Sequence, residues 1–299
     1  MNPEITFWNP YTSEYEVEKI YGEQWLRFSY EHFLGKIGLF SLVKRKWFSK
    51  WYGKKMDTAL SREKIFPFLQ NYNLNKEEFL EPLESFKTFN QFFYRKLKPD
   101  CRPVDRAPNS LVFPADGRHL IISDLSKVKH IYAKGQSFQL ARLLGCSTLA
   151  ENFQNGAMLI SRLCPVDYHR FHFPLSGHLS SSKLINGSLY SVNPIALRQK
   201  ISIFWENKRY ISTIETDSLG KVVQLLVGAT CVGSVHITSK EDAWVEKGDE
   251  YGFFSFGGSC MITLYPANKV TFREDLVEQS GRGFESYFKF GDCLAYVNH

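Results

Sequence analysis

The chain has 299 residues, 43% of them apolar and 15% aromatic, with a formal net charge of +6. That apolar content supports a packed core and excludes a disordered protein. The modest charge does not call for nucleic acid as a partner, so any basic patch is local. Residues 1–100 read as mainly helical. Within them, 24–52 mixes apolar and polar residues at helical spacing, although Gly35 and Gly38 argue against one unbroken helix. Asn75-Lys76-Glu77-Glu78 has the form of an N-cap with an acidic first turn, and 87–93 predicts another short helix. The proline-rich stretch 99–117 predicts a domain boundary. Beyond it, apolar runs punctuated by Gly, Asn, Ser and Pro predict antiparallel strands at 156–163, 184–192, 224–235 and 261–265. One helix is expected from about 140 to 153. The expected class is α+β: a helical region over 1–100, then a mainly antiparallel β-domain over 101–299, sandwich or barrel-like.

Six cysteines stand at 101, 146, 164, 231, 260 and 293, with no CxxC pair, so neither a zinc site nor a redox dithiol is expected. The N-terminus lacks the layout of a secretory signal, which favours reduced thiols in a cytoplasmic setting. No window of about 18 apolar residues exists, and the nearest candidate, 34–43, is short and carries Lys36. Trp25, Trp47, Trp51 and Tyr52 interleave with Lys44, Arg45, Lys46, Lys50, Lys54 and Lys55. Apolar anchors beside basic residues suit the interface of an anionic bilayer. They equally suit a core-packing helix with a solvated basic face, and the residues alone leave both readings open.

Three segments carry candidate chemistry. In Phe256-Gly257-Gly258-Ser259-Cys260, two glycines and a serine interrupt strand-like flanks, which marks a bulge or a place of close backbone approach. In Phe113-Pro114-Ala115-Asp116-Gly117, an aspartate is held in a fixed turn after an apolar run, either as an Asx-turn or as a carboxylate that orients a histidine. In Asp167-Tyr168-His169-Arg170-Phe171-His172-Phe173-Pro174, two histidines stand three apart. On a strand they point to opposite faces, and on a short irregular element both reach one site. Asp116, His172 or His169, and Ser259 make an Asp…His…Ser set of a kind recognised by geometry rather than order. No G-x-S-x-G elbow surrounds Ser259, and the nearest electrophile is the Gly258 carbonyl, so the serine is placed to attack its own backbone.

Segments 87–105 (KTFNQFFYRKLKPDCRPVD), 113–117, 133–145, 167–174, 226–233 (LVGATCVG) and 256–270 together resemble the phosphatidylserine decarboxylase family. The blocks keep their order and cover about 85–275. The resemblance implies a self-processing pyruvoyl enzyme. Ser259 would cleave the chain after Gly258, giving a β chain of 1–258 and an α chain of 259–299 capped by a pyruvoyl group. It further implies decarboxylation of phosphatidylserine through a Schiff base to that group. By motif position His172 matches the family's base, Asp116 its orienting carboxylate and His169 the histidine of the decarboxylation step. Cys260 stands where the family usually has threonine, either as a small side chain packed after the cleavage site or as a thiol that competes as nucleophile. Implied partners are phosphatidylserine, an anionic membrane surface that 1–100 would dock on, and a second copy of the chain. The implied location is peripheral, on the cytoplasmic face of the cell membrane, with no metal and no nucleic acid. Two other readings compete. One is a serine hydrolase with an Asp116/His172/Ser259 triad. The other is a carrier module, for which no lysine sits in a matching exposed turn.

Overall fold

The computed structural model describes residues 4–38, 46–127, 138–229, 235–256 and 259–298, without the side chains of 34, 36, 37 and 46–50. Gly257, Gly258, Cys231, Trp47 and the basic residues 44–46 and 50 therefore lie outside the described residues or side chains, as do 133–137 of segment 133–145 and 230–233 of segment 226–233.

Alternating bulky residues build a central sheet. Its strands run in the order Ala243–Val245, Gly177–Leu179, Arg209–Thr216, Gly220–Val227, Ser259–Tyr265, Ala157–Leu163, Gly117–Ile122, Glu285–Phe288, Thr6–Asn9 and Glu14–Val17, and Lys183–Ile185 also pairs with Arg209–Thr216. Neighbours are antiparallel except Thr6–Asn9 against Glu285–Phe288, which is parallel. The path does not close, so the sheet is open and the class is α+β as expected. One face buries Met158, Ile160, Val223, Leu225, Ile262 and Leu264 with apolar residues of the short helices Leu140–Leu144, Pro194–Gln199 and Ile203–Glu206. The other buries Leu159, Val222, Leu226, Met261 and Tyr265 against two three-stranded sheets. One of these holds Val235–Ile237, Glu250–Phe254 and Arg170–His172, and the other Val270–Phe272, Cys293–Val297 and Ser110–Val112. A third cluster, rich in phenylalanine, joins the N-terminal helices to Phe256.

Four departures from the sequence reading have local causes. The helical region opens with a hairpin, Thr6–Asn9 and Glu14–Val17, because its first strand finds a partner in Glu285–Phe288. Asn75 does cap, accepting from Glu77 N at 3.1 Å, but it starts only a 3-10 turn, since Phe79 is drawn into a bridge with Leu97. Of 184–192 only Lys183–Ile185 pairs as a strand. At Gly187 a Cβ would lie 2.2 Å from the Glu206 carbonyl, so the chain leaves the sheet where only glycine fits. The helix expected over 140–153 is two short ones, Leu140–Leu144 and Ser147–Glu151, split at Gly145 with φ +62°. The short helix expected over 87–93 is Phe89–Phe93, capped by Thr88, which accepts from Gln91 N at 3.2 Å.

Candidate active site

Ser259 opens a central strand. It pairs with Leu163, and Cys260 pairs with Arg162 on one side and Val227 on the other. Side chains alternate along a strand, so Ser259 shares a face with Met261, and Cys260 shares the opposite face with Ile262. The hydroxyl and the thiol therefore point away from each other. Ser259 is fully buried, and its Oγ meets no hydrogen-bond partner among the described residues. Burial pushes the Cys260 thiol well above its ordinary pKa, and Sγ donates to the Met261 carbonyl at 3.4 Å. A protonated thiol on the far face is no rival nucleophile.

Both histidines lie on the chain that follows this strand's partner, Ala157–Leu163. His169 precedes the strand Arg170–His172, and His172 ends it. His169 is fully buried, its ring 3.9 Å from that of Phe93. Its carbonyl accepts from Phe254 N at 3.0 Å, and its Nδ1 lies 2.9 Å from the Asp167 carbonyl. A carbonyl only accepts, so in the neutral ring Nδ1 carries the proton and Nε2 the lone pair. His172 stacks on Phe290 at 3.6 Å and 11°, with Tyr168 at 5.9 Å. Its backbone N donates to the Pro114 carbonyl at 2.8 Å, and its Nδ1 makes no hydrogen bond to the described residues. Burial lowers its pKa to about 3, helped by Arg170 and opposed by the Pro114 carbonyl, so the ring is neutral at pH 7.

Asp116 sits at the end of the Pro-Ala-Asp-Gly turn, where Gly117 lets the chain approach the Arg162 carbonyl, 2.6 Å from where a Cβ would be. Its carboxylate is held by Arg102, whose Nε lies 3.0 and 2.9 Å from the two oxygens and whose Nη2 lies 2.6 Å from Oδ2. Phe290 N donates to Oδ1 at 2.8 Å. The residue that hydrogen-bonds Asp116 through its backbone thus stacks on His172 through its ring. The aspartate reaches the histidine through Phe290 and is itself bonded to an arginine.

Two supports flank the site. Arg118 Nη1 grips both oxygens of Asp167, at 2.5 and 2.6 Å, and Cys164 N donates to Oδ2 at 2.6 Å, which fixes the turn leading to His169. Beside it, Arg162 Nη2 pairs with Glu18 at 2.5 Å and with Glu285 at 2.6 Å. Upstream of the Gly-Gly pair, Phe256 N donates to Asn90 Oδ1 at 2.8 Å, and Asn90 Nδ2 donates to Asp57 at 2.7 Å. The Phe256 ring rests on Phe93 and Phe89, at 5.0 and 5.1 Å.

The structure thus brings Ser259, His169, His172 and Asp116 to neighbouring segments. Sequence reasoning missed Arg102, Asn90, Phe290 and the Arg118–Asp167 pair. Arg102 and Asn90 fall inside the segment 87–105 that carried a family resemblance, and that was the available signal.

The family model for phosphatidylserine decarboxylase matches residues 89–293. The chain is 40% identical over 290 residues to a phosphatidylserine decarboxylase proenzyme of Clostridium kluyveri, covering 97% of this chain and 98% of that one. It is 39% identical to the proenzyme of Fusobacterium nucleatum, covering 94% of each, and 39% identical to that of Desulfitobacterium hafniense, covering 99% of each. The chain belongs to the phosphatidylserine decarboxylase family, which places it among the carboxy-lyases. The likeness runs nearly end to end, well beyond 85–275.

Proposed function

We propose that this chain is a self-processing decarboxylase that converts phosphatidylserine to phosphatidylethanolamine and CO2. The observation that carries the reading is Ser259, fully buried, directly after a glycine pair, its Oγ unbonded among the described residues and two buried histidines on the neighbouring chain. A serine needs a base to become a nucleophile. His172, neutral because it is buried, takes the hydroxyl proton while Oγ attacks the Gly258 carbonyl carbon. The Gly258–Ser259 C–N bond breaks, the nitrogen regains a proton, and an ester remains. Loss of the Ser259 α-proton expels the Gly258 carboxylate from Cβ. Water then releases ammonia and leaves a ketone at the start of the α chain, 259–299. Asp116, bonded to Phe290 N, fixes the ring that stacks on His172.

The residues present suit a pyruvoyl group here, because the hydroxyl that would become it is already buried and unbonded among the described residues. Once in place, that group supplies a ketone that takes up the substrate's amine and accepts the electrons left by CO2. His169, its Nδ1 tied to the Asp167 carbonyl, presents Nε2 for proton transfer during turnover. The helical region below residue 100 is the membrane dock. Phe33, Leu60 and Phe66 are more than 60% exposed, Trp25 and Trp51 about half, and exposed Lys54, Lys55, Arg62 and Lys64 lie among them in the sequence. Among the described residues no helix is long and apolar enough to cross a membrane, which suits peripheral docking.

A mass spectrum of the purified protein tests the reading. Two fragments are expected, the smaller beginning at residue 259 with a blocked, carbonyl-reactive N-terminus. An intact chain that still decarboxylates phosphatidylserine overturns it, and an intact chain labelled by a fluorophosphonate at Ser259 makes it a hydrolase. His172→Ala and Asp116→Asn are expected to stay uncut. His169→Ala is expected to cut at least partly and lose turnover, and the reverse pattern would exchange the two histidines' roles.

A further inference from the structure

Arg95 is buried without an acid. It follows the helix Phe89–Phe93 and is 5% exposed, yet among the described residues it makes no ion pair. Its Nε has no hydrogen-bond partner, and Nη1 reaches only the Phe92 carbonyl, at 3.4 Å. The guanidinium lies over the rings of Phe79 and Phe92, at 4.8 and 5.0 Å, which leaves its N–H edge for another ligand. The nearby carboxylates, Asp116 and Glu78, are both engaged by Arg102, at 2.6 and 3.2 Å. Burying an arginine with most of its donors unbonded is expensive, and such groups are kept where a ligand completes them. Arg95 is also well placed. The carbonyl of its neighbour Tyr94 accepts from Arg170 Nε at 2.9 Å, so the chain at 95 runs beside the segment that carries both histidines, and both Asp116 and Tyr168 lie within electrostatic reach of Arg95.

We propose that Arg95 binds the phosphodiester of the substrate headgroup, an inference that rests on the decarboxylase reading above. A guanidinium fork matches two phosphate oxygens. In a phosphoserine headgroup the phosphorus is three bonds from the α-carbon, so an anchor beside the histidine segment suits it. The substrate's carboxylate is the poorer candidate. A guanidinium holding that group would stabilise it before CO2 departs more than during departure, and so slow the reaction. Burial lowers the Arg95 pKa only to about 10, so the charge persists at neutral pH.

The test compares phosphatidylserine with a phosphate-free O-alkyl-L-serine of equal chain length, both in detergent micelles. The wild-type protein is expected to prefer the phosphodiester. In Arg95→Met, recovered as the two-fragment protein, KM for phosphatidylserine is expected to rise about tenfold to a hundredfold, the range for one lost charge-assisted hydrogen bond. Its kcat should change little, and its preference should collapse. Arg95→Lys, which keeps charge but not the fork, should fall between, and it decides alone if Arg95→Met does not fold. Equal losses on both substrates, or an unchanged KM in Arg95→Lys when that variant decides alone, overturn the proposal. Inhibition by inorganic phosphate as strong as by a short-chain phosphatidylethanolamine overturns the headgroup assignment in favour of a free-phosphate site. A wild-type protein inactive on both substrates removes the decarboxylase reading itself, whereas one active on both without preference removes only Arg95.

Discussion

Asp116 is buried inside the fork of Arg102, and that contact governs what a substitution at either position does. Removing the arginine leaves a desolvated carboxylate without its cation, a loss of about 3–5 kcal/mol for a buried pair. Arg102→Met is therefore expected to lower the melting temperature and to stay uncut, whereas Arg102→Lys, which lacks the fork, should lose less of both. A thermal melt and a denaturing gel of the three proteins check this, and a fully processed Arg102→Met would show that Asp116 works without it. Asp116 was legible in the sequence because proline and glycine frame it. Arg102 was not, because its own prolines read as a linker and no spacing rule joins it to a turn 14 residues away. Cys260 shows the same limit. Its place in the sequence suggests a rival nucleophile, and only strand pairing shows that its thiol faces the other side of the sheet from Ser259.

The N-terminal helices pack against Phe256, two residues before Gly258. Asn90, in the first turn of Phe89–Phe93, accepts from Phe256 N and is itself held by Asp57. Without that acceptor a buried N–H is left unpaired, at about 1–3 kcal/mol. The cost falls on the segment entering the proposed cleavage site. Asn90→Ala is expected to fold but to process more slowly than wild type in a pulse-chase gel, and an unchanged rate would free the clamp from any part in cleavage. The helix itself was legible in the run 87–93, although its Thr88 cap was not read there. The hairpin Thr6–Asn9 and Glu14–Val17 was not, because its sheet partner, Glu285–Phe288, lies almost 280 residues further along the chain. Short local windows carry capping and periodicity, and they carry nothing about such distant pairings. The same limit hid the Glu18–Arg162–Glu285 ion cluster, which fastens the hairpin's exit to the sheet.

Two features belong to the molecule as a whole. The first is its acid sensitivity. His119, against Ser161 at 2.9 Å, and His172 are both buried and neutral, their pKa values lowered from 6.5 to about 3. The unfolded chain binds these protons near pH 6.5 and the folded chain only near pH 3. Their contribution is thus complete above about 6.5 and is lost as pH falls through that window, at about 1.4 kcal/mol per pH unit for each histidine. Chemical denaturation at pH 7, 6 and 5 should show this slope, and His119→Asn should reduce it by about half; an unchanged slope would place the protons elsewhere. The second feature is how the proposed cleavage would leave the fold. The 259–299 fragment supplies Ser259–Tyr265 between Gly220–Val227 and Ala157–Leu163, and Glu285–Phe288 between Gly117–Ile122 and Thr6–Asn9. It also supplies Val270–Phe272 and Cys293–Val297 beside Ser110–Val112. Withdrawing it would break ladders on both sides of two strands and expose Met261, Ile262, Leu264, Tyr265, Leu276 and Leu294, all fully buried. At about 1.5–3 kcal/mol for each large apolar side chain, that burial far exceeds what one broken peptide bond releases in chain freedom. The cut protein is therefore expected to pass through gel filtration with both fragments in one peak and to separate only in denaturant. Fragments eluting apart in native buffer would mean that the strand pairings do not survive cleavage.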